Sequence, residues 1–333
     1  MKSGERKSCF LKGEVEEILA APSDYARKTA ALSGPSDGAT LMRLATYASV
    51  AVAVVLIAAK AGALYMTGSL ALLSSLIDSL MDSVASVVSL FAVHHALVPP
   101  DREHRFGHGK AESLAALGQA ALVAGSAVFL LWEAGARFLN PKAVEQAPIG
   151  VAVMIFSMAL TGGLVLFQRS VVRRTGSLAI AADSLHYRTD FLMNAAVIVA
   201  LLLSAFGGWL LADPVFAALI ALYILYSAWT IARDAFDQLM DHELPEDQRK
   251  EIRKIAMAHP EVRALHDLRT RESGTRAFIQ LHLELDGEMS LFTAHVIADA
   301  VEADIQNQFP NAEVIIHQDP AGLESNISDL QRS

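Results

Sequence analysis

The chain has 333 residues, of which 53% are hydrophobic and only 19% charged, and its formal net charge is −9. A soluble protein usually carries about a quarter charged residues, and an acidic chain without a basic stripe beside aromatic residues is a poor nucleic-acid binder. The single cysteine, Cys9, excludes an intramolecular disulfide framework and a cysteine-based zinc ribbon.

The charged residues divide the chain into two parts. Residues 1–238 hold 18 basic and 18 acidic side chains, whereas residues 239–333 hold 9 basic and 18 acidic ones. The chain therefore combines an apolar, neutral body with an acidic, soluble end. Residues 1–40 are rich in Lys, Glu, Ser, Gly and Pro and contain no apolar stretch. We expect them to form a cytoplasmic tail without a cleavable signal peptide.

Six apolar windows follow, and each is long enough to cross a bilayer, which takes about 20 residues. They lie near residues 41–66, 70–97, 112–139, 149–169, 178–206 and 213–236. Most of them exceed the apolar stretch of about 10–14 residues that is typical of a core helix in a soluble protein. The sequence therefore predicts an α-helical membrane protein with six transmembrane helices over residues 41–238.

The basic residues predict the orientation of these helices, because cytoplasmic loops are enriched in Lys and Arg. The opposite set of loops offers only Arg137 and Lys142. The basic set of flanks contains Arg27, Lys28, Arg43, Arg102, Arg105, Lys110, Arg169, Arg173, Arg174 and Arg233. We expect a multi-pass protein of the inner (plasma) membrane with both termini in the cytoplasm.

After Pro245 the pattern changes to that of a small soluble domain. Alternation of apolar and polar residues predicts strands, and Ser273-Gly274 predicts a hairpin turn between two of them. The predicted elements are a helix at 246–258, strands at 263–271 and 276–286, a helix at 290–308 and a strand at 312–318. This αββαβ order predicts a cytoplasmic α+β domain over residues 239–320 with its helices on one sheet face. We expect residues 321–333 to form a C-terminal tail.

Ionisable residues interrupt two of the apolar windows at helical spacing. Asp78 and Asp82 in the second window, and His186 and Asp190 in the fifth, each form an i, i+4 pair on one helix face. An Asp near the centre of a membrane helix costs about 2.5–3.5 kcal/mol, and three carboxylates with one imidazole suit zinc or a similar divalent ion. The alternative is a structural polar network without an ion. Asp183 fits such a network or a supporting role behind His186.

The first cytoplasmic loop carries a second candidate site. Asp101, His104 and His108 have a spacing that allows all three to converge on one metal ion. The alternative is a polar loop with two solvated histidines, since loops often carry such residues. We interpret His94 and His95, at the end of the second window, as interfacial side chains rather than ligands.

The acidic end carries a third candidate site. Six of the 11 histidines lie there, and an Asp that bridges two ions with two histidines on each would explain several of them. The residues of such a binuclear site are His266, His282, His295, His317 and Asp319. The alternative is a set of surface histidines in an acidic domain.

Five motifs in order resemble the cation diffusion facilitator family, nearest to its bacterial zinc- and iron-efflux branch. They are DSLMD (78–82), DREHRFGHGKAESLAAL (101–117), HYRTD (186–190), LHDLRTRESG (265–274) with FIQLHLEL (278–285), and VIIHQDP (314–320). The similarity extends from about residue 41 to residue 320. The resemblance implies a homodimer whose cytoplasmic domains have a metallochaperone-like fold.

The resemblance also implies roles for individual residues. It implies a transport site at Asp78, Asp82, His186 and Asp190, and it assigns the loop site and the binuclear site to the residues named above. It implies a salt bridge between Lys110 and Asp241 at the dimer's junction of membrane and cytoplasm. Relatives with Asp in place of His186 tend to carry manganese, so His186 favours zinc or cadmium, with ferrous iron as a third substrate.

The chemistry of the membrane site predicts an antiporter. Three carboxylates in a low dielectric cannot all be ionised when no metal is bound, so some of them hold protons. An entering divalent ion must expel these protons because ligands bind metal deprotonated. We expect export of divalent cations, zinc above all, in exchange for protons, with zinc also as a regulatory ion and no organic cofactor. The chain has no GxxxxGK[ST] loop. The alternatives are a membrane-anchored metal sensor without transport and a membrane zinc hydrolase, although the chain has no HExxH motif.

Overall fold

The computed structural model describes residues 37–68, 70–139, 148–207 and 211–322. Most of the predicted N-terminal tail and the C-terminal tail from residue 323 lie outside the described residues. The same holds for Arg27, Lys28 and Lys142, three of the residues on which the predicted orientation depends.

Within the described residues, six long helices come first, as predicted. They are α1 (Asp37–Thr67), α2 (Leu70–Ala96), α3 (Lys110–Leu139), α4 (Pro148–Thr175), α5 (Leu178–Gly207) and α6 (Ala212–Leu239). Five of them contain a stretch long and apolar enough to cross a membrane: Gly38–Met66, Ser75–Ala96, Lys110–Leu139, Val151–Thr175 and Pro214–Leu239. The remaining helix, α5, carries Asp183, Arg188 and Asp190 in its first half. The structure confirms a six-helix membrane domain.

Small residues line the contact between α3 and α6. Ala127 of α3 and Ala228 of α6 are buried and share one apolar cluster with Leu185 of α5. Large apolar side chains on the same two helices, such as Trp132 and Trp229, are exposed. Lipid provides little hydrophobic force between helices, so close packing of small residues holds them together while large ones face the acyl chains.

The soluble end forms the predicted α+β domain. Its elements are α7 (Glu246–Ala256), β1 (Ala264–Ser273), β2 (Arg276–Leu285), α8 (Leu291–Gln308) and β3 (Ala312–Pro320). The sheet order is β1-β2-β3, with β1 antiparallel and β3 parallel to β2. Leu281 and Leu283 on one face of β2 pack against Ile252 of α7 and against Val301 and Ile305 of α8. The αββαβ prediction is confirmed. Both helices pack on the apolar face of the sheet, so the polar face can hold a metal site.

The tip of the β1–β2 hairpin packs against the loop between α2 and α3. Gly109 lies so close to the backbone of Ser273 that a Cβ atom at Gly109 would clash with the Ser273 carbonyl. The guanidinium of Arg271 lies 4.7 Å from the ring centroids of both Phe106 and Phe278. These contacts connect the loop to the strands of the cytoplasmic domain.

Candidate metal centres

The membrane domain brings three of the four predicted transport-site residues together. The ligand atoms of Asp82, His186 and Asp190 all lie within 4.8 Å of one another. His186 Nε2 is 2.7 Å from Asp82 Oδ1, a contact between α5 and α2. The i, i+4 spacing on α5 places His186 and Asp190 on the face that meets Asp82. Two carboxylates and one imidazole in this arrangement form a donor set that suits zinc.

Asp78 lies one helical turn before Asp82 but is not a member of this cluster. Its side chain is exposed. Beside it, Lys60 of α1 donates hydrogen bonds to Ser79 Oγ at 2.6 Å and to the Ser75 carbonyl at 3.1 Å. Lys60 is not among the residues predicted from sequence, although an ionisable residue inside an apolar window is itself a signal of function.

Asp183 lies in a buried polar network one turn before His186. Its carboxylate accepts hydrogen bonds from Ser49 at 2.6 Å, from Gln168 at 2.7 Å and from Ser86 at 3.1 Å. The three donors belong to α1, α4 and α2, and Asp183 is only 1% exposed. Of the two roles considered for Asp183, the structure therefore supports membership of a network that holds four helices together.

The loop after α2 brings its three candidate ligands together. Asp101 Oδ1 is 3.5 Å from His104 Nδ1, and Asp101 Oδ2 is 3.3 Å from His108 Nε2. Asp101 also accepts hydrogen bonds from the backbone N–H groups of His104 and Glu103, at 2.6 and 2.9 Å. These backbone donors favour the ionised carboxylate and lower the pKa of Asp101 below its usual range. A charged carboxylate is thus held in place beside two imidazoles.

Two histidines beside this loop differ in their surroundings. His108 is buried, and its Nδ1 lies 3.4 Å from the Val98 carbonyl. His95, in the last turn of α2, packs its ring against that of His108 with the centroids 4.6 Å apart. The interpretation of His95 as an interfacial side chain missed this contact, because the folding of the loop back onto the helix end is not visible in the spacing.

The sheet of the cytoplasmic domain places three histidines in one row. The strand register pairs His266 with His282 across β1 and β2, and His282 with His317 across β2 and β3. Asp319 Oδ2 faces His266 Nε2 at 3.3 Å and His282 Nδ1 at 2.8 Å, while its Oδ1 faces His317 Nε2 at 3.3 Å. The two oxygens of one carboxylate therefore point to different histidines, which is the arrangement that a bridging ligand needs.

His295, the remaining predicted ligand of the binuclear site, lies elsewhere. It is on α8 with 65% of its side chain exposed, and its Nδ1 is 3.6 Å from Asp299. The cluster instead has two acidic neighbours: Glu284 Oε1 lies 3.3 Å from His266 Nδ1, and Asp267 Oδ2 lies 3.8 Å from His282 Nε2. Glu284 shares the polar face of β2 with His282, a signal that sequence analysis did not use.

Lys110 and Asp241 form an ion pair within the chain, with 2.9 Å between Lys110 Nζ and Asp241 Oδ1. Arg271, which the sequence analysis did not include, contacts the same oxygen at 3.1 Å. Partial burial acts in the opposite direction, but the hydrogen bonds from Lys110 and Arg271 outweigh it and lower the pKa of Asp241. The pair joins the start of α3 to the segment after α6.

Family models match two parts of the chain. The cation efflux transmembrane domain matches residues 46–240, and the cytoplasmic domain of cation efflux proteins matches residues 244–321. The chain is 48% identical to the cation-efflux pump FieF of Shewanella oneidensis over 283 residues, which cover 85% of this chain and 95% of the relative. It is 47% identical to FieF of Klebsiella pneumoniae over 283 residues, which cover 85% of this chain and 94% of the relative.

Among solved structures, the metal-bound C-terminal domain of the CzcD transporter from Thermotoga maritima is similar to part of this chain. The identity is 31%, the match covers 23% of this chain and 90% of that one, and the TM-score is 0.22.

Proposed function

The chain belongs to the cation efflux (cation diffusion facilitator) family, and we propose that it exports zinc from the cytoplasm in exchange for protons. Its relatives are cation-efflux pumps, so the chain is a multi-pass membrane transporter of divalent metal cations and not an enzyme. The two alternatives from sequence, a membrane zinc hydrolase and a sensor without transport, are therefore wrong.

The observation that carries the proposal is the convergence of Asp82, His186 and Asp190 inside the membrane domain. Carboxylate oxygens alone suit manganese and magnesium, whereas an imidazole nitrogen shifts the preference towards zinc. Asp78 supplies the fourth ligand after a change of its side-chain rotamer, since it is one turn from Asp82 and its side chain is exposed. Cadmium and ferrous iron are the next best substrates.

Proton exchange follows from the chemistry of the ligands. The metal binds to deprotonated carboxylates, so its entry releases protons from the site and its exit allows them to return. If the site opens alternately to the two sides, each cycle moves metal one way and protons the other way. The source of free energy is then the proton gradient.

The other two clusters have a supporting function in this proposal. Zinc binds at Asp101, His104 and His108, and two zinc ions bind at the cytoplasmic site, where Asp319 bridges them. The chain forms a homodimer in the inner membrane with both termini in the cytoplasm, and the pair Lys110–Asp241 lies at the junction of the two domains near the dimer axis.

A metal-competition flux assay tests the proposed substrate. Purified protein in proteoliposomes, with a proton gradient, is given zinc together with cadmium, ferrous iron or manganese, and uptake of each ion is measured. We expect zinc uptake that cadmium inhibits strongly and manganese weakly. Preferential uptake of manganese or iron would contradict the assignment of zinc.

A further inference from the structure

His95 and the two loop histidines form a continuous row of imidazole rings. The centroid of the His108 ring is 4.6 Å from that of His95 and also 4.6 Å from that of His104, with interplanar angles of 63° and 49°. Asp101 contacts the rings of His104 and His108. One carboxylate and two imidazoles thus converge at the cytoplasmic end of α2, and the imidazole of His95 packs against one of them.

The spacing of the rings fits ligands of a single ion. Two imidazoles that bind one tetrahedral zinc, with Zn–N bonds of about 2.0–2.1 Å, place their ring centroids about 5 Å apart. The Nδ1 atom of His108 faces the Val98 carbonyl, and its Nε2 atom faces Asp101 and remains available for metal. A backbone carbonyl behind the second ring nitrogen is a common support for a metal-binding histidine.

His95 packs against one member of this set. Its ligand atoms do not belong to the group that converges within 4.8 Å, which consists of Asp101, His104 and His108. The side chain of His95 is exposed, so it is free to change between staggered rotamers. The backbone of α2 already holds it against His108.

We propose that His95 is the fourth protein ligand of the loop site, which it closes around zinc. This inference rests on the proposed function of Asp101, His104 and His108 as a zinc site and extends it. A zinc site with four protein ligands is closed and structural, whereas three ligands leave a position for water or an exchanging group. In this chain the loop ion therefore stays bound through the transport cycle and fastens the end of α2 to the loop that contacts the β1–β2 hairpin.

His94 provides a matched control. It is the same residue type, it directly precedes His95 on α2, and its side chain is also exposed. Adjacent residues on a helix do not share a face, so His94 points away from the direction in which His95 meets His108. Any general effect of removing a histidine from the helix end appears equally in both variants.

The test uses the full chain in detergent, in a background that carries both Asp82→Ala and Asp319→Ala. The first substitution removes a proposed ligand from the transport site and the second removes one from the cytoplasmic site. Co²⁺ reports the coordination number through its visible absorption, and competition with a chelator gives the Zn²⁺ affinity. In this background, His108→Ala identifies the signal of the loop site. His95→Ala and His94→Ala are then compared, and circular dichroism checks their fold.

Loss of a supporting partner behind a ligand already lowers metal affinity about 10–100-fold. We therefore expect His95→Ala to lower the Zn²⁺ affinity of the loop site about a hundredfold or more, and to replace the four-coordinate Co²⁺ spectrum with a weaker one. His94→Ala should change neither, and His95→Asp, which retains a ligand, should recover part of the affinity.

Three results would overturn the inference, and they differ in what they imply for the loop site. Equal affinities and spectra with and without His95, in a background where His108→Ala abolishes the signal, would leave the loop site intact and exclude His95 as a ligand. A background without any His108-dependent Co²⁺ signal would reject the loop site itself together with the role of His95. Equal losses in the His94 and His95 variants would also contradict the proposal.

Discussion

His186 is the one nitrogen donor in the cluster of the membrane domain, and its Nε2 lies 2.7 Å from Asp82. The identity of this side chain should therefore decide which metal is preferred. His186→Asp replaces a borderline nitrogen ligand with a hard oxygen. We expect the ratio of manganese to zinc uptake to rise about tenfold in a competition flux assay.

A substitution at another residue of the same cluster is the control for this test. Asp190→Glu changes the length of a ligand in the same cluster but retains its oxygen donors, so it should lower uptake of all metals without reversing their order. An unchanged order of metals in His186→Asp would mean that His186 does not bind the ion.

At the scale of single residues, the sequence predicted what depends on helical period alone. The spacing of His186 and Asp190 placed both on one face of α5, where the structure has them. The position of Asp78 outside the cluster and the approach of His95 to His108 both depend on how separate segments of the chain pack. Neither of these two positions can be predicted from the spacing of residues along one element.

At the scale of elements, the boundaries and order of the helices and strands followed from hydrophobic period, but the pairing of strands did not. The row of His266, His282 and His317 exists because β2 pairs antiparallel with β1 and parallel with β3 in one particular register. A shift of one residue would turn a strand's histidine to the opposite face. The pattern of residues along the chain therefore indicates these histidines as candidate ligands but does not show that they meet.

The contact between Gly109 and the β1–β2 hairpin should be sensitive to a single methyl group. In Gly109→Ala the new Cβ clashes with the Ser273 backbone, so the hairpin must move away at a cost of about 1–3 kcal/mol. We expect faster amide hydrogen exchange around residues 273–276, measured by mass spectrometry on the full chain. Gly118→Ala, on helix α3 that begins directly after Gly109, is the control, because nothing lies within 4 Å of a Cβ there. Equal exchange in both variants would show that the contact is dispensable.

The contribution of the ion pair between Lys110 and Asp241 to the stability of the protein should decrease at low pH. The folded state lowers the pKa of Asp241, so the pair stabilises the protein above the unfolded pKa of about 4 and loses that contribution as the pH falls through the lowered folded pKa. The Asp241 side chain is 44% exposed, so solvent screening limits the contribution to less than about 1 kcal/mol.

Asp241→Asn therefore should reduce thermal stability slightly at pH 7 and by a smaller amount at pH 3. Thermal unfolding of the full chain and the variant at both pH values measures the difference. A stability difference of the same size at pH 3 would mean that the loss arises from packing and not from the charge.

At the scale of the whole molecule, the charge is unevenly distributed, because residues 239–333 carry 18 acidic and only 9 basic side chains. We expect two such domains in a dimer to repel each other and bound zinc to lower this repulsion. A ligand that binds only the folded state stabilises it by about 2.7 kcal/mol at a hundredfold excess over its dissociation constant. We expect zinc to raise the melting temperature of the full chain and Asp319→Ala to lose most of that rise.

His295→Ala is compared with Asp319→Ala. His295 is exposed on α8 and lies apart from the cluster of His266, His282 and Asp319. His295→Ala should retain most of the zinc-induced rise in melting temperature. A loss as large as that of Asp319→Ala would mean that His295 binds the ion in the assembled protein, as the family resemblance implies.

The central claim is that metal and protons exchange through the cluster of Asp82, His186 and Asp190. The most direct test is simultaneous recording of zinc uptake and internal pH in proteoliposomes that contain the full chain or Asp82→Asn, a variant with the same shape and no charge. Asp234→Asn removes an exposed acidic group from α6, away from the cluster, and is the control. We predict zinc uptake with coupled proton efflux in the parent and in Asp234→Asn, and the loss of both signals in Asp82→Asn. Undiminished zinc uptake by Asp82→Asn, or zinc uptake without any proton movement in the parent, would contradict the account.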